Sequence, residues 1–219
     1  MGSSFSICRE PPSSNNDKSL SLHSLKENIA GEDAGRNPFQ YYIKISELGR
    51  GSMGAVMKVK KKNAEGSARN LVYKKGKRKN KLEFAMKMII LDRISDMFLI
   101  ELKNEIEILR KLDHPNIVKL YEIYDAGSQM YLIMELCSGG DLYTRAPYTE
   151  KAAMKIMENL LSAITHMHTA GITHRDLKLE NIMFESNSPD AEIKLLDFGL
   201  SRKFRPGQVL RRGVGTIYT

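Results

Sequence analysis

Cysteine is scarce in this chain: Cys8 and Cys137 are the only two among 219 residues. Two are too few for a disulfide framework, and nothing has the paired spacing of a metal-ligand motif. A reducing compartment, and so a cytoplasmic location, is the expectation. No apolar run is long enough to span a bilayer, and the first residues lack the apolar middle of a secretory signal, so spanning and secretion are not expected. Acidic residues are nearly missing from one window: Lys58 to Lys81 holds eleven Lys or Arg against the single acid Glu65. That window carries more than the whole formal charge of +8 and leaves the remainder slightly acidic. The chain therefore has one basic insertion rather than a basic surface. With no accompanying nucleic-acid motif, no nucleic-acid partner is expected.

What is present is a polar tail followed by one sizeable core. Residues 1–38 are rich in Ser, Asn, Gly and Pro, with too little apolar content to offset the entropy of ordering, and read as a flexible tail. Met1-Gly2-Ser3-Ser4-Phe5-Ser6 fits the pattern for N-myristoylation of Gly2, with Cys8 placed for a second acyl chain. One myristoyl chain holds a protein only weakly at a bilayer. Stable attachment would draw on Cys8 or on the basic insertion 58–81, which anionic headgroups attract. The plainer reading of that insertion is a solvated connection between two strands.

From Tyr41 the pattern turns β-like: Tyr42 to Ile45, Ala55 to Val59 and Leu82 to Ile90 read as an antiparallel sheet, with Met130 to Leu136 as a further strand. Residues 95–112 read as a helix. Beyond the N-cap Thr149, Ala153, Ile156, Met157, Leu160, Leu161, Ile164 and Met167 recur at the spacing of one helical face. Two short strands follow, Asn181 to Phe184 and Ile193 to Leu196. A strand-rich half followed by a helix-led half implies an α+β protein of two lobes with a cleft between them.

Four motifs carry chemistry. Gly49-Arg50-Gly51-Ser52-Met53-Gly54 has the spacing G-x-G-x-x-G, a weak signal alone. A dinucleotide-binding version should run into a helix. Here strand-like alternation follows, which suits a hairpin whose backbone closes over phosphates. Lys87 lies in an apolar strand, where a lone charge is costly, and Glu105 on the next helix can neutralise it. His174-Arg175-Asp176-Leu177-Lys178-Leu179-Glu180-Asn181 has the order H-R-D-x-x-x-x-N, and Asp197-Phe198-Gly199 follows it.

In this order the motifs resemble those of eukaryotic-type Ser/Thr protein kinases, over roughly Tyr41 to Thr219. The resemblance implies a two-lobed kinase-like fold over 39–219, with a complete β-rich N-lobe and an incomplete helical C-lobe. It also implies use of ATP and Mg²⁺. Lys87, fixed by Glu105, would hold the α- and β-phosphates; Asp176 would accept the substrate hydroxyl proton; Lys178 would neutralise the transferred phosphoryl group. Asn181 and Asp197 would bind the metal. Leu109 to Val118, Met134 to Leu142 and Asp197 to Ser201 are most similar to the calcium- and calmodulin-dependent group, particularly calcium-dependent protein kinases. By that analogy Leu48, Gly49, Gly51 and Gly54 cover the nucleotide, and Val56, Ala85 and Met183 sandwich its purine. Met134 is the gatekeeper, Glu135 and Cys137 offer backbone contacts to adenine, and Asp141 reaches the ribose. Asp141 and Glu180 stand where basophilic kinases pair with arginines, which implies protein substrates with basic residues upstream of Ser or Thr.

Three departures from the family pattern stand out. The segment Leu142 to Tyr148 is short, so the helix expected there is in question. The basic insertion before Lys87 is long, and the sequence reaches Thr219 without an Ala-Pro-Glu motif. No EF-hand loop is present, so calcium sensing does not follow from the resemblance. Two readings result: a Ser/Thr kinase, or a truncated, catalytically weak ATP-binding or interaction module. With few helices to cover it, the apolar face of the long helix is expected to be exposed.

Overall fold

A computed structural model of the chain describes residues 35–62, 83–205, 207, 208, 210, 214 and 215. Gly2, Cys8 and most of the basic insertion lie outside them. Five antiparallel strands form the first layer: β1 (Tyr42–Gly51), β2 (Gly54–Lys61), β3 (Glu83–Ile90), β4 (Leu120–Asp125) and β5 (Gln129–Glu135), in the order β1-β2-β3-β5-β4. Lys58 to Lys61, the first part of the basic stretch, belong to β2. Strand alternation sorts side chains by face. Met57, Val59, Phe84, Met86, Tyr131 and Ile133 make the outer core with Tyr42 and Tyr124. Beneath them Glu122 accepts hydrogen bonds from Tyr42 Oη, Tyr124 Oη and Lys61 Nζ, each at 2.7 Å. Burial alone would raise this carboxyl's pKa; the three donors outweigh it and hold the pKa below its ordinary value.

The opposite face carries α1 (Asp96–Lys111), which starts at Ser95, whose Oγ accepts the Phe98 N–H at 3.2 Å. Leu99, Leu102 and Ile106 of α1 pack on Ile89, Ile123 and Leu132 of the sheet. Fully burying each such side chain stabilises the fold by roughly 1.5–3 kcal/mol. This packing fixes α1 against β3.

The second layer is built on α2 (Glu150–Thr169), begun by Thr149, whose Oγ1 accepts the Ala152 N–H at 3.2 Å. Two short pairings follow: β6 (Ile172–Thr173) with β9 (Arg202–Lys203), and β7 (Ile182–Phe184) with β8 (Ile193–Leu195). Asn181 falls in a 3₁₀ turn, Leu179–Asn181, rather than at the head of β7. Residues 142–145 form a turn and 146–148 are irregular; none is helical. They are anchored by Tyr148 Oη donating to the Leu142 carbonyl at 2.7 Å and by Arg145 lying 4.0 Å over the Phe184 ring.

The helical face anticipated on α2 divides in two. Ala163 and Met167 are buried, and Ile156 and Leu160 pack at the core edge. Met157 and Leu161, expected in the same stripe, stand exposed beside Met154, at 48%, 54% and 67%.

Candidate active site

Lys87 sits on the α1-facing side of β3, opposite Val56 on β2 and Leu132 on β5. Its Nζ lies 3.0 Å from Glu105 Oε1, and Glu105 is 6% exposed. Burial would lower the lysine's pKa, but Glu105 and then Asp197 raise it, so the ammonium form is held. The predicted pairing of strand lysine and helix glutamate is therefore formed.

Asp176 is 8% exposed in the loop after β6. The Asn181 side-chain amide donates to its carboxylate at 3.0 Å and to its backbone carbonyl at 2.9 Å, and Lys178 Nζ lies 3.1 Å from Oδ2. Turning Leu179–Asn181 into a 3₁₀ segment is what brings Asn181 back over Asp176. With its amide nitrogen committed, Asn181 has an oxygen to offer a hard cation, as does the exposed Asp197.

Several supporting groups were not singled out from the sequence. His174, 3% exposed, places Nε2 2.9 Å from the Leu196 carbonyl and Nδ1 3.3 Å from the Asp176 N–H. One nitrogen donates and the other accepts, which defines the neutral Nε2–H tautomer. Burial lowers its pKa, against the pull of the Leu196 carbonyl, Asp197 and Asp176, and keeps it in that form. Arg175 and Asp197 take left-handed φ values of 68° and 57°, a conformation that costs energy and clusters at functional sites. Arg175 Nε donates to the Leu200 carbonyl at 2.7 Å, tying the loop to the segment after Asp197. Ser201, 2% exposed, donates its hydroxyl to the His174 carbonyl. A left-handed backbone has no signature in a non-glycine sequence; His174 and Arg175 were visible only as letters of a motif.

Beneath the glycine hairpin lies a cavity of about 430 Å³ lined by Gly49, Gly51, Gly54, Val56, Lys87 and Phe98. Its glycines differ in purpose. A Cβ on Gly49 or Gly51 would meet nothing within 4 Å, whereas one on Gly54 would lie 1.9 Å from the Met88 carbonyl oxygen. Gly54 serves strand packing; Gly49 and Gly51 leave space open to a ligand. Of the remaining expected contacts, Ala85 is buried on the Lys87 side of the sheet opposite Met134, and Leu48 is half exposed. Glu135 and the buried Cys137 lie at and beyond the end of β5, and Met183 pairs with Asp141. None of these six lines the hairpin cavity. Asp141 Oδ1 accepts the Thr144 N–H at 2.7 Å. That backbone bond, with the Thr144 hydroxyl, lowers the Asp141 pKa and makes the residue the cap of its own turn.

Comparison with known proteins agrees with this geometry: the protein kinase domain family matches residues 42–218. The chain belongs to the protein kinase family. It is 36% identical over 183 residues to calcium-dependent protein kinase 5 of Plasmodium berghei (strain Anka), and 37% identical to the enzyme of that name from Plasmodium falciparum (isolate 3D7). Each alignment covers 81% of this chain and 29% of the relative. The chain thus spans under a third of the length of these relatives. The motifs Lys87, Glu105, Asp176, Asn181 and Asp197 all fall within the matched family domain.

Among the described residues no group of three or more His, Cys, Asp or Glu side chains could hold a metal. Asn181 and Asp197 supply only oxygen donors, and few of them. That fits Mg²⁺, which keeps waters and substrate phosphates in its coordination sphere, better than a metal in an all-protein cage.

Proposed function

We propose that the chain is the phosphate-transferring domain of a Ser/Thr protein kinase that uses ATP with Mg²⁺. One observation carries the reading. Lys87, paired with Glu105, lines the cavity beneath an open glycine hairpin, and Asp197 lies close enough to act electrostatically both on Lys87 and on His174, which adjoins the Asp176–Lys178–Asn181 cluster. Phosphoryl transfer requires positioning and neutralisation of charge more than covalent chemistry, and these groups supply both. Lys87 binds phosphate oxygens while Glu105 keeps its ammonium directed. Asp176, held by Asn181, orients the incoming hydroxyl and takes its proton. Lys178, already beside Asp176, stabilises negative charge on the group in transit. Mg²⁺ at Asn181 and Asp197 would supply further neutralisation of phosphate charge.

The substrate is a protein hydroxyl preceded by basic residues, supported by the exposed Glu180 and the partly exposed Asp141. Acylation at Gly2, with Cys8 or the basic insertion as second signal, would bring the domain to a membrane surface; labelling with an alkyne myristate, abolished by Gly2→Ala, tests it. A weakly active nucleotide-binding module remains the second reading. It is supported by a cavity of about 360 Å³ beside the catalytic loop, between Ile164, Met167, His174, Arg175 and Leu177.

The deciding experiment is phosphotransfer from Mg·ATP to a basic Ser peptide by the full chain and by Asp176→Asn. Activity lost in the variant, with nucleotide binding kept, is the expected result. Nucleotide binding without transfer in either protein would favour the second reading, and no nucleotide binding would overturn both.

A further inference from the structure

Lys194 belongs to no motif, yet it forms the most deeply buried of the described ion pairs. Its Nζ lies 2.9 Å from Glu135 Oε2, with the two side chains 6% and 7% exposed. Glu135 ends β5, where the chain leaves the five-stranded sheet, and its N–H donates to the Lys119 carbonyl at 2.8 Å. Lys194 is the middle residue of β8, opposite Met183, three residues before Asp197. Leu195 next to it is locked on both sides: its N–H donates to Asn116 at 2.8 Å, and its carbonyl accepts from Val118 at 3.0 Å.

A buried ion pair is a poor device for stability, because apolar residues of similar volume serve as well or better. Such a pair can instead fix register. A one-residue slip of a strand turns its side chains to the other face, which here would strand two lone buried charges. The pair therefore ties the end of β5, expected to meet adenine, to the strand that delivers Asp197 to the metal and phosphates. We infer that Lys194 is a positioning residue whose bond to Glu135 sets the span between the base-binding and phosphate-binding ends of the cleft.

The inference rests on the nucleotide-binding reading above and adds a requirement to it. A ligand that reaches both ends gains affinity from their fixed separation, whereas a ligand that reaches one end does not. Lys194→Met/Glu135→Met removes the tie without leaving a lone buried charge, so the variant is expected to fold. Displacement of a fluorescent ADP analogue from the full chain is read with three competitors: Mg·ATP, adenosine, and magnesium tripolyphosphate. The expected result is a loss of about tenfold for ATP while adenosine and tripolyphosphate each stay within about twofold of wild type. Lys194→Arg retains a cation beside Glu135 and should recover most of the ATP affinity. Unchanged ATP binding in the double variant, or a parallel loss for all three competitors, overturns the inference. A wild-type chain that binds no nucleotide overturns the nucleotide reading first, and this inference with it.

Discussion

Alanine substitution at the three glycines of the hairpin should separate stability from binding. At Gly54 an ideal Cβ falls 1.9 Å from the Met88 carbonyl oxygen, 2.9 Å from its carbon and 3.2 Å from Ile89 Cα. All three are backbone atoms of β3, the middle strand of the sheet, and Gly54 is in register with Ile89. Relief requires the strands to part by about an ångström, so the cost belongs at the upper end of the roughly 1–3 kcal/mol typical of overpacking. In a chain of this size about 1 kcal/mol shifts Tm by roughly 2–4 °C, so Gly54→Ala should melt about 6–12 °C below wild type. At Gly49 and Gly51 the Cβ meets nothing and the backbone is not left-handed. Alanine there should change stability by less than about 1 kcal/mol, if anything upward, through reduced entropy of the unfolded chain. It would instead occupy the cavity and weaken Mg·ATP binding by about tenfold, or ~1.4 kcal/mol. Calorimetric melting and nucleotide titration of the three variants decide the matter. A Gly54→Ala protein that melts with wild type, or a Gly51→Ala protein that is the least stable of the set, refutes the reasoning.

Three further outcomes are expected. Glu105→Gln leaves Lys87 without its carboxylate; transfer should fall by about 10²–10³ because a positioned charge is lost from the site, and a variant within threefold of wild type by peptide assay would count against the pair's role. Burial lowers the pKa of both His174 and His114, so their stabilising contribution is present above about pH 6.5 and is lost as pH falls below it; Glu122, held below its ordinary value, adds a further loss near pH 4 and under. The urea midpoint should therefore drop between pH 7 and 5.5, and a flat or rising midpoint would contradict the assignment of neutral imidazoles. Met157→Glu with Leu161→Lys changes only exposed positions of α2, so the unfolding free energy should stay within about 0.5 kcal/mol of wild type while self-association measured by sedimentation decreases.

Much of the site was legible because phosphate chemistry needs fixed residue types at fixed short spacings. The stretch from His174 to Asn181 and the run Asp197-Phe198-Gly199 could be recognised without knowing the fold. Long-range geometry left fainter traces. Strand β4 was missed because it lies at the sheet edge and its burial does not alternate: Glu122 turns inward to three donors. The apolar stripe on α2 was read as one face, since periodicity gives direction but not which part of the stripe a neighbour covers. Asp141 was assigned to ligands, yet Thr144, three residues on, holds one of its oxygens, a local bond that Asp often makes in turns. Lys194 did leave a signal. It is a single charge inside Ile193-Lys194-Leu195-Leu196, and the reasoning that sought a partner for Lys87 applies to it equally. Its partner lies 59 residues away and follows no helical or strand spacing, so only the fold could supply it.

The two halves of the site depend on different supports, which bears on how binding and turnover are coupled. The Lys87 side is held by the sheet and α1: Lys87 and Glu105 are fixed by side chains that pack on both faces of β3. The catalytic loop is held by the segment around Asp197. His174 donates to Leu196, Arg175 donates to Leu200, and Ser201 returns a bond to His174, while Phe198, fully buried, stacks edge-on at 5.0 Å against the His174 ring. Loop and Asp197 segment therefore brace one another across one layer of contacts, with a cavity behind them at Met167 and Leu177. A shift of about 1 Å in Asp176 can lower the rate by about 10²-fold. Whatever fills that cavity should thus act mainly on kcat, with nucleotide affinity changing only as far as Asn181 moves with Asp176. The reverse holds for the hinge side, where the Lys194–Glu135 tie acts on the binding of a ligand long enough to reach both ends.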